Sequence, residues 1–355
     1  MKYLKYLAPL LMLLVVLSVW GCERKIVVED NSGDGNGAEL ASCFGCHGDE
    51  NLAVRHAREE WAISKHGSGE TVERNRVHDE GYESCERCHT QEGFIAYITD
   101  TEVEAPYHFS HIGCFTCHAP HTNGDLELRT AAALTMPDGS AYNHGAGNLC
   151  ANCHQSRVDV NTYVVAGATL SSRFGPHHGP QGDMLNGTNG YEYASYNYTN
   201  STHTTAVADG CVDCHMAGAA GYSGVGMGGH TWSMENEEDE QVNTAGCNAS
   251  GCHSGLATLD KTANSDYDHD GYIEGVMDEV QGLLDSLEVL LTAEGVFANG
   301  SPASVTVDDI GVVGAVYNYQ FVAEDRSMGV HNTAYTVGLL QSAIDYLNSV
   351  ALAKL

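Results

Sequence analysis

Basic residues are scarce in this chain: 16 Lys plus Arg stand against 47 Asp plus Glu, for a formal charge of −31 over 355 residues. Such a surface repels phosphate backbones and anionic headgroups, so it excludes nucleic acid as a partner and favours cationic partners, metal ions and solubility. Long apolar runs are scarce as well. The clearest, from Leu7 to Val19, is short for a membrane span, and polar, acidic sequence follows at once. Although 43% of the residues are hydrophobic, 40 are glycine and the middle of the chain has few apolar runs. A core built from its own side chains alone would be marginal, so some other group must supply buried apolar surface.

What the chain has is cysteine and histidine, 13 and 19 of them. Twelve of the cysteines fall into one repeated pattern. It is written as Cys43-Phe44-Gly45-Cys46-His47, Cys85-Glu86-Arg87-Cys88-His89, Cys114-Phe115-Thr116-Cys117-His118, Cys150-Ala151-Asn152-Cys153-His154 and Cys211-Val212-Asp213-Cys214-His215. A stretched sixth copy, Cys247 to Cys252-His253, has four residues between the cysteines. Random placement at this composition gives about 0.03 regular matches per chain, against five present. Zinc ribbons pair one C-x-x-C with another, and disulfides need no histidine, so neither explains a His after every second cysteine. C-x-x-C-H is the attachment signature of c-type haem: two thiols add across the vinyl groups and the imidazole ligates the iron. One helical turn puts both sulfurs and the ring on one side. The stretched copy must bulge to do the same.

Six haem c groups are therefore expected, with proximal ligands His47, His89, His118, His154, His215 and His253. The macrocycles would provide the missing apolar surface. The expected fold is mainly α with extensive loop and little sheet, wrapped around a haem stack.

The N-terminus reads as an export signal, residues 1–21, with Lys2 and Lys5 ahead of the apolar run. The thirteenth cysteine, Cys22, follows Gly21 and resembles the acylated cysteine of a bacterial lipobox. That resemblance implies a lipid anchor at Cys22, and Glu23 after it favours the outer membrane. Residues 22–40 read as a flexible tether, 41–260 as the haem-binding region and 261–355 as a C-terminal helical hairpin packing on it. The hairpin is expected from helices at about 274–292 and 332–353. The long gap 155–210 reads as irregular loop whose tyrosines cover haem edges or face solvent. Asp266, Asp268, Asp270 and Gly271 form the first half of a calcium loop, without an acid at its twelfth place (Met277) but with Asp278 and Glu279 beside it. Calcium is the expected ligand there; an Asx-rich turn capping a helix is the alternative.

Thirteen further histidines are enough to give six irons a second imidazole each, and Met216 or Met227 could serve instead at a higher potential. Trp61-x-x-Ser64-x-His66, His118-x-Pro120-His121, Gly175-Pro176-His177, Ser201-x-His203, Gly229-His230-Thr231-Trp232 and Gly329-Val330-His331-Asn332 resemble recurrent pieces of multihaem c-type cytochromes. The resemblance is to exported cytochromes of metal-respiring bacteria and covers most of residues 41–350. It implies distal ligands at His66, His121, His177, His203, His230 and His331, with His178 a substitute for His177 and His78, His108, His111 and His144 in reserve. The 329–332 piece also resembles the pentahaem nitrite reductases, but their catalytic C-x-x-C-K is absent.

Filled axial positions leave an iron only electron transfer. The expected function is thus a non-enzymatic electron carrier at the cell envelope, a lipoprotein exchanging respiratory electrons with other cytochromes, metal oxides, soluble metal ions or another terminal acceptor. The alternatives are a nitrite, hydroxylamine or sulfur-oxyanion reductase with one open haem, and a subunit of a conductive filament.

Overall fold

Apolar side chains are dense enough for long helices only near the C-terminus, and three of the four longest helices form there. The computed structural model describes residues 51–68, 83–103, 109–218, 226–236, 240–249 and 251–354. The export signal, Cys22, the tether and the first motif, Cys43 to His47, lie outside them, as do His78 and His108. The described residues belong to one unit, Cys46–Leu355. We label the four longest helices α1 (Leu52–Ile63), α2 (Val276–Ala293), α3 (Ile310–Asp325) and α4 (Thr333–Ala353). Everything else is short helical turns, loop and four two-stranded ladders. No described helix is long and apolar enough to cross a membrane.

α2 is amphipathic, and Val280, Leu283, Leu284, Leu287 and Leu291 form its buried stripe. Asp278 and Glu279 sit in its first turn, where the helix dipole favours negative charge. α4 is capped by Asn332, whose side chain accepts from Tyr335 N–H. Between them α3, capped by Asp309 accepting from Gly311 and Val312 N–H, buries residues on nearly every side. The C-terminal unit is therefore three mutually packed helices and not the expected hairpin.

The core of this unit does not stop at residue 261. Val160, Val164, Leu170, Phe174, Met184 and Tyr193 belong to the same cluster, and Ala168–Thr169 pairs antiparallel with Thr306–Val307. Tyrosines of the long gap, expected on haem edges or facing solvent, pack on α3 and α4. Tyr193 Oη donates to Gly311 O at 2.7 Å and Tyr198 Oη to Ser342 Oγ at 2.8 Å. A Cβ on Gly314 would collide with the Tyr191 ring, so that glycine is what lets the ring lie on the helix. Glu235–Asn236 pairs antiparallel with Gln241–Val242 in a further short ladder.

Candidate metal centres

Each regular motif in the described residues is built on a helical turn: Glu83–His89, Cys114–Cys117, Gly147–Ala151 and Cys211–His215. The turn closes by a hydrogen bond from the motif histidine back to the first cysteine, 2.9 Å for both His118 N–H to Cys114 O and His154 N–H to Cys150 O. The stretched motif closes the same bond, His253 N–H to Cys247 O, also at 2.9 Å. Its extra residues leave the turn, helped by Gly251 at φ 90°. Asn248 ties the bulge to the next segment by exchanging hydrogen bonds with Leu256 N and O at 2.8 Å each. All ten described motif cysteines are free of disulfides.

Each of the five described motif histidines faces one histidine from elsewhere in the chain. Ring centroids are 6.3 Å apart for His89 and His177, 6.2 Å for His118 and His230, and 6.1 Å for His154 and His66. They are 6.2 Å apart for His215 and His331 and 5.9 Å for His253 and His203. With metal–imidazole bonds of about 2 Å and ring centroids about 1.1 Å behind each nitrogen, two trans imidazoles on one ion stand about 6.2 Å apart. The residues present thus fit an iron held between two imidazoles, with two thiols one turn away.

Five of these ten rings are held through Nδ1, which leaves Nε2 for a metal. Nδ1 of His215 donates to Trp232 O at 2.9 Å, of His203 to Val330 O at 2.8 Å, and of His118 to Glu127 O at 3.3 Å. His154 donates to Gln181 Oε1 at 3.2 Å and His331 to Asp325 Oδ1 at 2.7 Å. Burial lowers His66 and His177 to about 4, His154 and Arg157 respectively adding to it, and it also lowers His89, His215, His230 and His253. Neutral imidazole is the form that ligates. Burial pulls His331 down too, but the Asp325 carboxylate outweighs it and the net direction is up.

Short motifs place the distal rings. Ser64, buried, donates to Trp61 O and accepts from Gly67 N–H, turning the chain off α1 so that His66 projects. Gly175-Pro176 leads into His177 at φ 77°, a left-handed conformation rare for a side-chain-bearing residue. Glu60 on α1 accepts His230 N–H at 2.9 Å and so holds the His230 turn against the helix that precedes His66.

The centres touch one another. Cys88 and Cys153 are close enough to perturb one another's ionisation, as are Cys150 and Cys211. The second and fourth motifs meet with approximate two-fold symmetry: Cys88 Sγ lies 4.0 Å from Asn152 O and Cys153 Sγ 3.8 Å from Arg87 O. Trp232 joins three centres. Its ring is edge-on to His66 at 4.6 Å and to His230 at 5.6 Å, and its carbonyl holds His215.

The other expected ligands are placed differently. His121 packs 5.4 Å from Phe115, and a pairing with His47 falls outside the described residues. His178, the substitute for His177, bonds Glu324 at 2.9 Å. His111 stacks on Trp61, and His144 lies tilted against Tyr142 with ring centroids 4.7 Å apart. In the acidic loop, Asp266 and Asp268 converge with Glu279, their oxygens all within 4.8 Å. Asp270 is not in that set; its Oδ1 accepts from Tyr272 N–H at 2.8 Å. Glu279, one of the two acids beside the vacant twelfth position, is the one that completes the set, because the helix start turns it inward. Gln181 and Asp325 carry no motif signal, and they serve rings 27 and 6 positions away.

No family model matches the chain. The C-type polyheme cytochrome OmcB of Geobacter sulfurreducens is 22% identical over 391 aligned positions, covering 87% of this chain and 48% of OmcB. OmcC of the same species is 25% identical over 181 positions, 38% of this chain and 24% of OmcC. The chain thus spans about half the length of OmcB and less of OmcC. Among solved structures, the outer cell wall cytochrome OcwA shares the fold, with a TM-score of 0.50 at 21% identity over 81% of this chain and 49% of OcwA.

Proposed function

We propose that this multihaem c-type cytochrome is a hexahaem electron carrier of the cell envelope. The observation that carries the reading is the set of five imidazole pairs, at 5.9 to 6.3 Å, each beside a motif cysteine pair. Haem c supplies one-electron chemistry when bound. The motif cysteines would hold it through two sulfurs and each facing pair of imidazoles would ligate its iron, the arrangement of a carrier rather than of a substrate site. His47, with Cys43 and Cys46, would complete the sixth centre, and His121 is its proposed distal ligand. Contacts between cysteines of different motifs, and Trp232 among three centres, hold the sites as neighbours suited to relay.

The acidic surface favours cationic donors and acceptors, including basic cytochromes, metal oxides and soluble metal ions. Export with a lipid at Cys22 would hold the carrier at the outer membrane; the cell wall setting in the name of OcwA supports an envelope role. The test is haem counting with spectroscopy on the exported protein. Six covalent porphyrin equivalents and only low-spin ferric signals are expected. A high-spin ferric signal would mark an open haem and turn the reading to a reductase.

Calcium is the proposed second cofactor. Asp266 Oδ1 is buried without a hydrogen-bond partner, and burial with the neighbouring carboxylates pushes Asp268 upward. A divalent cation bound by Asp266, Asp268 and Glu279 would relieve both. Added calcium should raise the melting temperature of the holoprotein, and Glu279→Gln should abolish that rise while leaving haem content intact. No rise in the wild type would remove calcium from the account.

A further inference from the structure

We propose that Asp325 makes the His215–His331 centre the lowest-potential haem of the described five. The inference rests on the paired-imidazole reading above. Of the Nδ1 bonds described for these rings, four end on neutral oxygens: Glu127 O, Gln181 Oε1, Val330 O and Trp232 O. The fifth ends on a carboxylate. His331 Nδ1 lies 2.7 Å from Asp325 Oδ1, and the Asp325 side chain is 1% exposed. Glu60 approaches His230 Nδ1 only to 3.7 Å, beyond hydrogen-bonding distance, and the same oxygen accepts His230 N–H at 2.9 Å.

The surroundings do not cancel the Asp325 charge. Arg326, the adjacent cation, turns to Glu324 at 3.7 Å. The partners of Asp325 Oδ2 are the hydroxyl and N–H of Ser327, both neutral. Asp325 is the last residue of α3, where the helix dipole is negative. A buried carboxylate on Nδ1 draws that proton toward itself and gives the ring imidazolate character. The ligating nitrogen then becomes more electron-rich, which stabilises ferric over ferrous iron and lowers the potential.

Spectroelectrochemical titration of the holoprotein, with paramagnetic resonance of the ferric form, tests this. In Asp325→Asn, which keeps an oxygen for His331 but removes the charge, the lowest-potential transition should rise and the others stay, with one low-spin signal changing its g values. Ser327→Ala removes a hydrogen bond from the carboxylate, leaves it more basic, and should move the same transition down. If neither variant moves the lowest transition while every low-spin signal persists, the assignment to Asp325 is wrong and the carrier reading stands. If His331→Ala removes no low-spin signal, His331 is not a ligand, and the pairing falls with the proposal.

Discussion

Asp183 is fully buried in a region that carries two centres. Its carboxylate accepts from Ser156 N–H at 2.6 Å and from Asn189 Nδ2 at 3.0 Å. Burial still pushes it up to about 7, against the opposing pull of those bonds. An unfolded carboxyl titrates near 4, so the folded state holds the proton more tightly. Its contribution to stability is full below about 4 and is lost as pH rises through about 7. Asp183→Asn should flatten that decline: the variant gains on the wild type in denaturation midpoint between about pH 5 and about pH 8. An equal difference at both pH values would show that protonation of Asp183 is not the cause. At the same scale, the proximal histidines and their cysteines were legible, because an attachment chemistry fixes residue types at fixed spacing. Asp325 and Gln181 were not, since a hydrogen bond to a ring leaves no spacing rule behind.

Among the elements, α3 is the one that periodicity missed. Ile310-Gly311-Val312-Val313-Gly314-Ala315-Val316 is β-branched, glycine-bearing and apolar all round, so it has no polar face to set a helical period. It is helical because it is sandwiched, with α2 and α4 against it, Tyr191 of the long gap over Gly314 and Tyr346 of α4 over Gly311. α2 and α4 each keep a solvent face and were visible. Leu287→Ala on α2 should cost ~2–5 kcal/mol, because the side chain is fully buried at the centre of the shared core. Gly314→Ala should destabilise as well, by displacing Tyr191. Chemical denaturation of the holoprotein measures both; a neutral Gly314→Ala would mean that the ring does not rest on that helix. The stretched motif shows a third relation between sequence and element: its length departs from the others, yet its closing hydrogen bond is the same.

For the molecule as a whole, charge and cofactor dominate. A net charge of −31 should make electron exchange with a basic redox partner fall steeply as ionic strength rises, and exchange with an acidic one rise slightly. Stopped-flow oxidation by cationic and anionic cobalt or iron complexes of similar potential measures the contrast, and equal salt dependence for both would show that the acidic residues do not face the exchange site. The sequence by itself determined the motif, the number of its copies and the sign of the net charge, because each is a property of local residue chemistry or of composition. Only the tertiary structure decided which histidine faces which, that Trp232 sits among three centres, and that residues 155–210 and the three C-terminal helices share one core. Those depend on contacts between residues tens to hundreds of positions apart, which packing selects and local spacing does not record.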